Sequence, residues 1–190
     1  MLRFPRSPLL ATCAVLGLLV QTAHADAPSS APASLQTLLM TMSERLSVGE
    51  LVALTKWDSK QSVQDNAREA VLIADARKEA VERRLDPDEA ADLVAAQIEA
   101  NKLLQYGLLA QWQAAGKAPE TPRPDLIGQI RPWLDTLQHR LLQQYADFAP
   151  LRRDPRCADW LARERSSLIK DALHGQALIR ATGELCIVER

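Results

Sequence analysis

Residues 86–89, with the sequence Asp-Pro-Asp-Glu, constrain the fold more than any other segment of this chain. They supply a helix-capping side chain, a proline suited to the first helical position, and acidic groups that complement the positive end of a helix. The next strong stop signal is Gly116. The pattern therefore predicts a helix from Pro87 to about Ala115.

The rest of the chain also favours helices over strands. Ala and Leu dominate, aromatic residues make up 4%, and the long runs lack β-branched alternation. Further helices are predicted from Ser34, as the cap, to about Trp57, from about Gln64 to Arg84, from roughly Asp125 to Phe148, and after Asp154-Pro155. The fold class is therefore all-α, a bundle of about five to six helices.

Two proline features interrupt this helical pattern. Residues 117–124 contain three prolines, which predicts an extended linker. Pro132 lies within the fourth predicted helix, so we expect either a kink near Arg131 or a late helix start.

The N-terminus has the pattern of a signal peptide. Arg3 and Arg6 precede an apolar stretch at 9–20, and Ala23-His24-Ala25 forms a small-x-small cleavage site. The apolar stretch is shorter than the roughly 20 residues that cross a bilayer. We expect cleavage after about Ala25, export to the periplasm or the medium, and no membrane segment afterwards. A disordered leader over 26–33 and a single domain over 34–190 would follow.

The charge balance argues against a nucleic-acid partner. The formal charge is −1, and loss of Arg3 and Arg6 with the leader makes it −3. Neither half of the chain is markedly basic. A zinc site is poorly supported, because His139 and His174 have no Cys or carboxylate at ligand spacing.

Two cysteines remain in the mature chain, Cys157 and Cys186, because Cys13 lies in the signal peptide. In an exported protein this pair favours a disulfide, and two free buried thiols are the alternative. One straight helix would separate the two Cα atoms by about 43 Å, whereas a disulfide needs about 4.4–6.8 Å. The bridge therefore requires a C-terminal helical hairpin, with its break predicted at His174-Gly175.

Seven polar residues recur at spacings that place them on facing sides of three predicted helices. Arg45 and Lys56 are eleven residues apart, almost three helical turns, so both cations point the same way. Turning such groups inward would be costly unless a polar, anionic ligand meets them. Taken singly, each residue has an ordinary explanation: an Asp–Arg pair at i, i+3 is usually a solvated surface pair, and a Lys before a Trp usually lays its stem on the aromatic ring. The seven residues are Arg45, Lys56, Asp65, Arg68, Glu69, Asn101 and Gln105.

The ordered pattern resembles the active site of the all-helical chorismate mutases. The matching motifs are Arg45, Thr55-Lys56-Trp57, Asp65-x-x-Arg68-Glu69 and Asn101-x-x-x-Gln105-Tyr106. The secretion signal and the extra C-terminal third resemble the exported subclass of that family. The resemblance implies an isomerase that rearranges chorismate to prephenate without a cofactor or metal. It also implies a homodimer with a complete site in each subunit.

The resemblance further implies roles for the cations at the two substrate carboxylates. Arg45 and Arg131 would grip one carboxylate, while Arg68 with Asn101 would hold the other. Arg131 stands where the exported members supply the last arginine from within the chain. Arg140, in the same predicted helix, is the alternative.

The remaining site residues would act on the ether oxygen and the ring hydroxyl. By resemblance, Lys56 bridges a carboxylate and the ether oxygen, and Gln105 donates a second hydrogen bond to that oxygen. Glu69, with the backbone near Asp65, would receive the hydroxyl.

Two other function classes fit the same sequence. One is a non-enzymatic helical chaperone or adaptor of the cell envelope, for which Arg45, Lys56 and Arg68 should diverge into solvent. The other is a protein that binds a small dicarboxylate without turnover, which would share the pocket of a mutase.

Overall fold

The structure, a computed structural model, describes residues 30–187, and these form six α-helices and no β-strand. The all-α prediction is therefore confirmed. The predicted signal peptide, the start of the leader and the last three residues lie outside the described residues. The helices are α1 (Ala33–Ser59), α2 (Asn66–Glu82), α3 (Pro87–Ala115), α4 (Arg131–Phe148), α5 (Cys157–Leu168) and α6 (Ala172–Thr182).

Helix α1 is the central element of the bundle. It packs against α3, α4, α5 and α6. Its apolar residues recur every three or four positions and are at most 1% exposed: Leu35, Leu38, Leu39, Met42 and Leu46. Burial of each such side chain is worth about 1.5–3 kcal/mol. The helix begins at Ala33 after Pro32, without a side-chain cap, so the prediction that Ser34 caps it was wrong.

Helix α3 has the bounds that the sequence predicts. The Asp86 side chain accepts hydrogen bonds from the backbone N–H groups of Asp88 and Glu89, at 2.8 and 3.1 Å. Gly116 ends the helix at φ 73°, a left-handed conformation that a residue without Cβ adopts at little cost.

The start of α4 is irregular, as Pro132 predicts. A single π-helical turn, Leu126–Ile130, precedes the helix, and α4 proper begins at Arg131. The Arg131 N–H closes this turn on the Leu126 carbonyl, so the π-helical turn runs directly into α4 and Pro132 follows it. The chain therefore adopts the late start, and this start places Arg131 at the beginning of α4.

The C-terminal helices form the predicted disulfide-tied hairpin. Cys157 and Cys186 are bonded, with their Cα atoms 5.8 Å apart. The chain turns at residues 169–171, so the predicted break at His174-Gly175 was wrong. The Asp171 side chain caps α6 by accepting from the His174 N–H at 2.8 Å. Gly175 lies inside α6, where a Cβ would be 3.1 Å from Ile169 Cγ2, so it permits close packing rather than a turn.

Candidate active site

The eight residues assigned to a substrate site from the sequence line one cleft between α1, α2, α3 and α4. The cleft holds about 800 Å³ of non-protein space, part of which is open solvent at its mouth. Helix α1 contributes Arg45 and Lys56, and α4 contributes Arg131. The other five come from the start of α2 and the middle of α3: Asp65, Arg68, Glu69, Asn101 and Gln105.

The two α1 cations are almost fully buried. Arg45 is 4% exposed and donates from Nη1 to the Leu134 carbonyl at 3.1 Å, while its buried Nε has no partner among residues 30–187. Burial lowers the pKa of Arg45 to about 10, and the Asp135 carboxylate opposes this effect. The guanidinium thus remains charged at neutral pH. Lys56 is 9% exposed and has no hydrogen-bond or ion-pair partner in the described part of the chain.

The first turn of α2 arranges its own three site residues. The Asp65 side chain caps the helix by accepting from the Arg68 N–H at 3.1 Å. In return, Glu69 Oε1 accepts from the Asp65 N–H at 3.3 Å. These local bonds satisfy N–H groups that a helix start leaves free. They also hold the Asp65 and Glu69 side chains on the turn that faces the cleft, whereas Arg68 takes part only through its backbone N–H.

Ion pairs hold several of the cleft cations. Arg131 Nη2 is 3.1 Å from Asp65 Oδ2, and Arg68 Nη2 pairs with Asp135 Oδ1. Lys102 contacts Glu69 at 3.4 Å, and a closer hydrogen bond to Glu99 is the main reason that its pKa is raised.

The α3 side of the cleft presents two carboxamides. Asn101 Nδ2 donates to the Gln97 carbonyl at 3.1 Å, one turn earlier in the helix. Gln105 is 7% exposed, and its buried Oε1 has no partner among residues 30–187. A buried amide oxygen without a partner is uncommon and costly. Gln105 lines the cleft, so a ligand bound there would be within reach of its carboxamide.

The structure distinguishes the two candidate arginines of α4. Arg131 lines the cleft, whereas Arg140 pairs with Glu44 beside Met40 on another surface. The two residues are nine positions apart, or two and a half helical turns, so they face opposite sides of α4.

Sequence reasoning missed three polar residues at the cleft. Lys102 and Gln138 line it, and Asp135 contacts Arg68 from α4. The sequence did contain a signal for Asp135 and Gln138. Positions 131, 134, 135 and 138 follow the i, i+3, i+4, i+7 spacing of one helix face, so they lie on the same side of α4 as Arg131.

The cleft has an excess of positive charge. Five cationic and two acidic side chains line it. Among residues 30–187, no cluster of three His, Cys, Asp or Glu residues could hold a metal ion. Within the same range, no helix is long and apolar enough to span a membrane. The arrangement suits a small anionic ligand with more than one carboxylate.

Comparisons with known proteins agree with this chemistry. A family model described as chorismate mutase type II matches residues 36–106. A chorismate mutase from Burkholderia phymatum is 40% identical, with a TM-score of 0.79 over 82% of this chain and 97% of that one. The enzyme from Burkholderia thailandensis is 37% identical, with a TM-score of 0.78 over 82% of this chain and 100% of that one.

A curated relative links the chain to exported members. The secreted chorismate mutase of Mycobacterium tuberculosis is 29% identical over 98% of this chain and 97% of its own length. The chain therefore belongs to the all-helical chorismate mutase family and to its exported branch.

Proposed function

We propose that this protein converts chorismate to prephenate at the cleft between α1, α2, α3 and α4. The observation that carries the proposal is the convergence of four cations and the buried Gln105 carboxamide on one cleft; the cations are Arg45, Lys56, Arg68 and Arg131. Membership of the chorismate mutase family supports the same reaction. The rearrangement occurs within one dianionic molecule, so positioning and charge stabilisation are what the protein must supply.

The arginines are proposed to hold the reactive conformer by its two carboxylates. Arg45 and Arg131 would bind one carboxylate, approaching from α1 and from the start of α4. Arg68 with Asn101 would bind the other. A guanidinium has five N–H donors in a planar fork, so an arginine already paired with a side chain still has donors for the substrate.

Lys56 and Gln105 are proposed to stabilise the charge that grows on the ether oxygen as its bond breaks. A rate enhancement near 10⁶ requires about 8 kcal/mol of differential stabilisation. One preorganised donor at such an oxygen is worth about 2.7–4 kcal/mol. Two donors could therefore supply much of the total. Lys56 has no hydrogen-bond or ion-pair partner among residues 30–187, so its donors need not leave another group before they reach the ether oxygen.

Glu69 is proposed to accept the hydrogen bond of the ring hydroxyl. Its carboxylate accepts from the Asp65 N–H and contacts Lys102, and a carboxylate has further lone pairs with which to accept another hydrogen bond. The hydroxyl would complete the set of groups that fix the substrate ring relative to the arginines.

The adaptor and the dicarboxylate binder, the two alternative functions, differ in whether they predict this cleft. An adaptor predicts that Arg45, Lys56 and Arg68 diverge into solvent, but all three line one cleft. A dicarboxylate binder without turnover shares this cleft, so only chemistry separates it from a mutase.

The test is an absorbance assay of chorismate loss with the purified protein. We expect loss of chorismate above the spontaneous rate, with prephenate as the product. The variant Arg140→Ala is a control that should keep this activity, since Arg140 lies outside the cleft. Binding of chorismate that leaves its absorbance unchanged would instead identify a dicarboxylate-binding protein.

The protein is exported, as its secreted relatives indicate. We further propose a periplasmic or extracellular location after cleavage near Ala25, and a homodimer with a complete site in each subunit. Every assigned site residue comes from one chain, which supports the complete site. Mass spectrometry of the exported protein tests the cleavage point, and sedimentation tests the dimer.

A further inference from the structure

One face of α4 carries one of the arginines proposed to bind substrate and contacts two others, from α1 and α2. Arg131 belongs to this face, the Leu134 carbonyl accepts from Arg45, and Asp135 pairs with Arg68. Gln138, one turn further, donates to the Leu72 carbonyl of α2 at 3.3 Å. Helix α4 is therefore the element against which the arginines from α1 and α2 are oriented.

Arg68 lies in a part of α2 where no residue is fully buried. Only Ala76, Glu79 and Ala80 are buried in α2, and all three lie at least two turns beyond Arg68. The Arg68 side chain is 28% exposed. An arginine in such a setting keeps much of its rotamer freedom unless a partner restrains it. Among residues 30–187, the side-chain partner of its guanidinium is Asp135.

We propose that Asp135 is a positioning residue, whose carboxylate holds the Arg68 guanidinium over the cleft before a substrate carboxylate arrives. This inference rests on the proposed function, in which Arg68 binds substrate. Asp135 contacts one terminal nitrogen, Nη2, so other donors of the fork stay available. The pair therefore persists in the complex, and the substrate does not need to displace it.

The charge distribution argues against Asp135 as a competitor of the substrate. The lining of the cleft keeps an excess of cations, and Lys56 has no counter-charge among the described residues. One carboxylate on the α4 wall leaves this excess largely intact. Asp135 also acts on Arg45 through its charge, and so it influences arginines proposed for both substrate carboxylates.

The experiment compares the steady-state kinetics of Asp135→Ala and Asp135→Asn. In Asp135→Ala we expect KM to rise about tenfold while kcat changes less than about threefold, because Arg68 keeps its charge but loses the acceptor that holds it in place. Asn keeps one acceptor oxygen, so Asp135→Asn should raise KM only about threefold. Asp147→Asn removes an exposed carboxylate from the same helix and should leave KM within about twofold.

A second measurement does not depend on turnover. The measurement is an NMR spectrum of the ¹⁵N-labelled protein without substrate. If Asp135 restrains rotation of the Arg68 guanidinium, its Nη–H groups should give resolved signals. These signals are assigned by their absence from the spectrum of Arg68→Lys. Asp135→Ala should remove these signals while the backbone amide spectrum remains that of the wild type. If Asp135→Ala does not fold, Asp135→Asn carries both measurements.

The outcomes separate this inference from the proposed function. A wild type that does not consume chorismate would refute the proposed function, and the Arg68 signals alone would then decide whether Asp135 fixes the arginine. An unchanged KM together with unchanged Arg68 signals would overturn the inference. A lower KM in Asp135→Ala would also overturn it, because Asp135 would then compete with substrate.

Discussion

Gly49 of α1 lies directly against Asn101 of α3. A Cβ at position 49 would overlap Asn101 Oδ1 and would lie 3.2 Å from Asn101 Cγ. From the sequence alone, a glycine here only weakens α1, by about 1 kcal/mol relative to Ala. Its position shows that it makes room for a proposed substrate-binding side chain.

We expect Gly49→Ala to lower activity without unfolding the protein. The added methyl must push the Asn101 amide away, while Ala favours the helix by about 1 kcal/mol. KM for chorismate should rise, and the melting temperature should change by less than about 4 °C. Gly183→Ala is the control, since a Cβ there meets Ile179 O at an ordinary 3.6 Å. Equal KM values in the two variants would show that Asn101 does not contact the substrate.

Lys56 should contribute to activity and lower the stability of the folded protein. Lys56→Met keeps an unbranched side chain of similar length but removes a buried charge that has no partner among residues 30–187. If removal of the charge raises the free energy of unfolding by about 1 kcal/mol, the melting temperature should rise by roughly 2–4 °C. Loss of a donor at the ether oxygen should lower kcat about 10²–10³-fold. Thermal denaturation and the absorbance assay check both effects, and a lower melting temperature would make Lys56 a structural residue.

Gln105→Glu should make activity depend on pH. The wild-type amide donates without titrating, so its activity should vary little between neutral and mildly acidic pH. In the variant, the same hydrogen bond requires a protonated carboxylic acid. A free Glu has a pKa near 4.3; burial at this site raises the pKa, and the neighbouring cations lower it.

Whichever effect is larger, the variant should gain activity as pH falls and lose it as the carboxylate ionises. Initial rates measured from mildly acidic to neutral pH, on wild type and variant side by side, provide the check. Full activity of Gln105→Glu at neutral pH with a flat profile would show that this side chain does not donate to the ether oxygen.

Arg131 and Arg140 lie on the same helix and allow a direct comparison of two alanine variants. Arg131→Ala should lower kcat/KM about 10–100-fold, because a charged donor to a substrate carboxylate is lost. Arg140→Ala breaks only a pair with Glu44 outside the cleft and should change kcat/KM less than about twofold. The reverse result would reassign the last cation to Arg140.

The Cys157–Cys186 bridge should stabilise the C-terminal hairpin. Thiol alkylation without reductant should label neither cysteine. The bridge closes a loop with a sequence separation of 29, for which chain entropy predicts about 3.6 kcal/mol. Urea unfolding with and without reductant measures this difference in the free energy of unfolding. Equal urea midpoints would show that helix packing alone holds α5 against α6.

Short-range patterns were sufficient for the helices and for much of the cleft. The cap at Asp86 and the left-handed stop at Gly116 depend on neighbouring backbone groups, so both bounds of α3 could be predicted. The 3.6-residue period likewise places Arg45 with Lys56, and Asn101 with Gln105, on common helix faces. The break in the hairpin could not be predicted, because Gly175 serves a contact with Ile169 rather than a turn.

Only the tertiary structure decided which α4 residues meet the cleft. Helical periodicity places Arg131 and Arg140 on opposite faces, but it does not say which face turns toward α1 and α2. The packing of α4 against α1 settles this choice and brings Asp135 to Arg68, 67 residues away in sequence. Contacts at such separations depend on how whole helices are oriented, and no local residue pattern records that orientation.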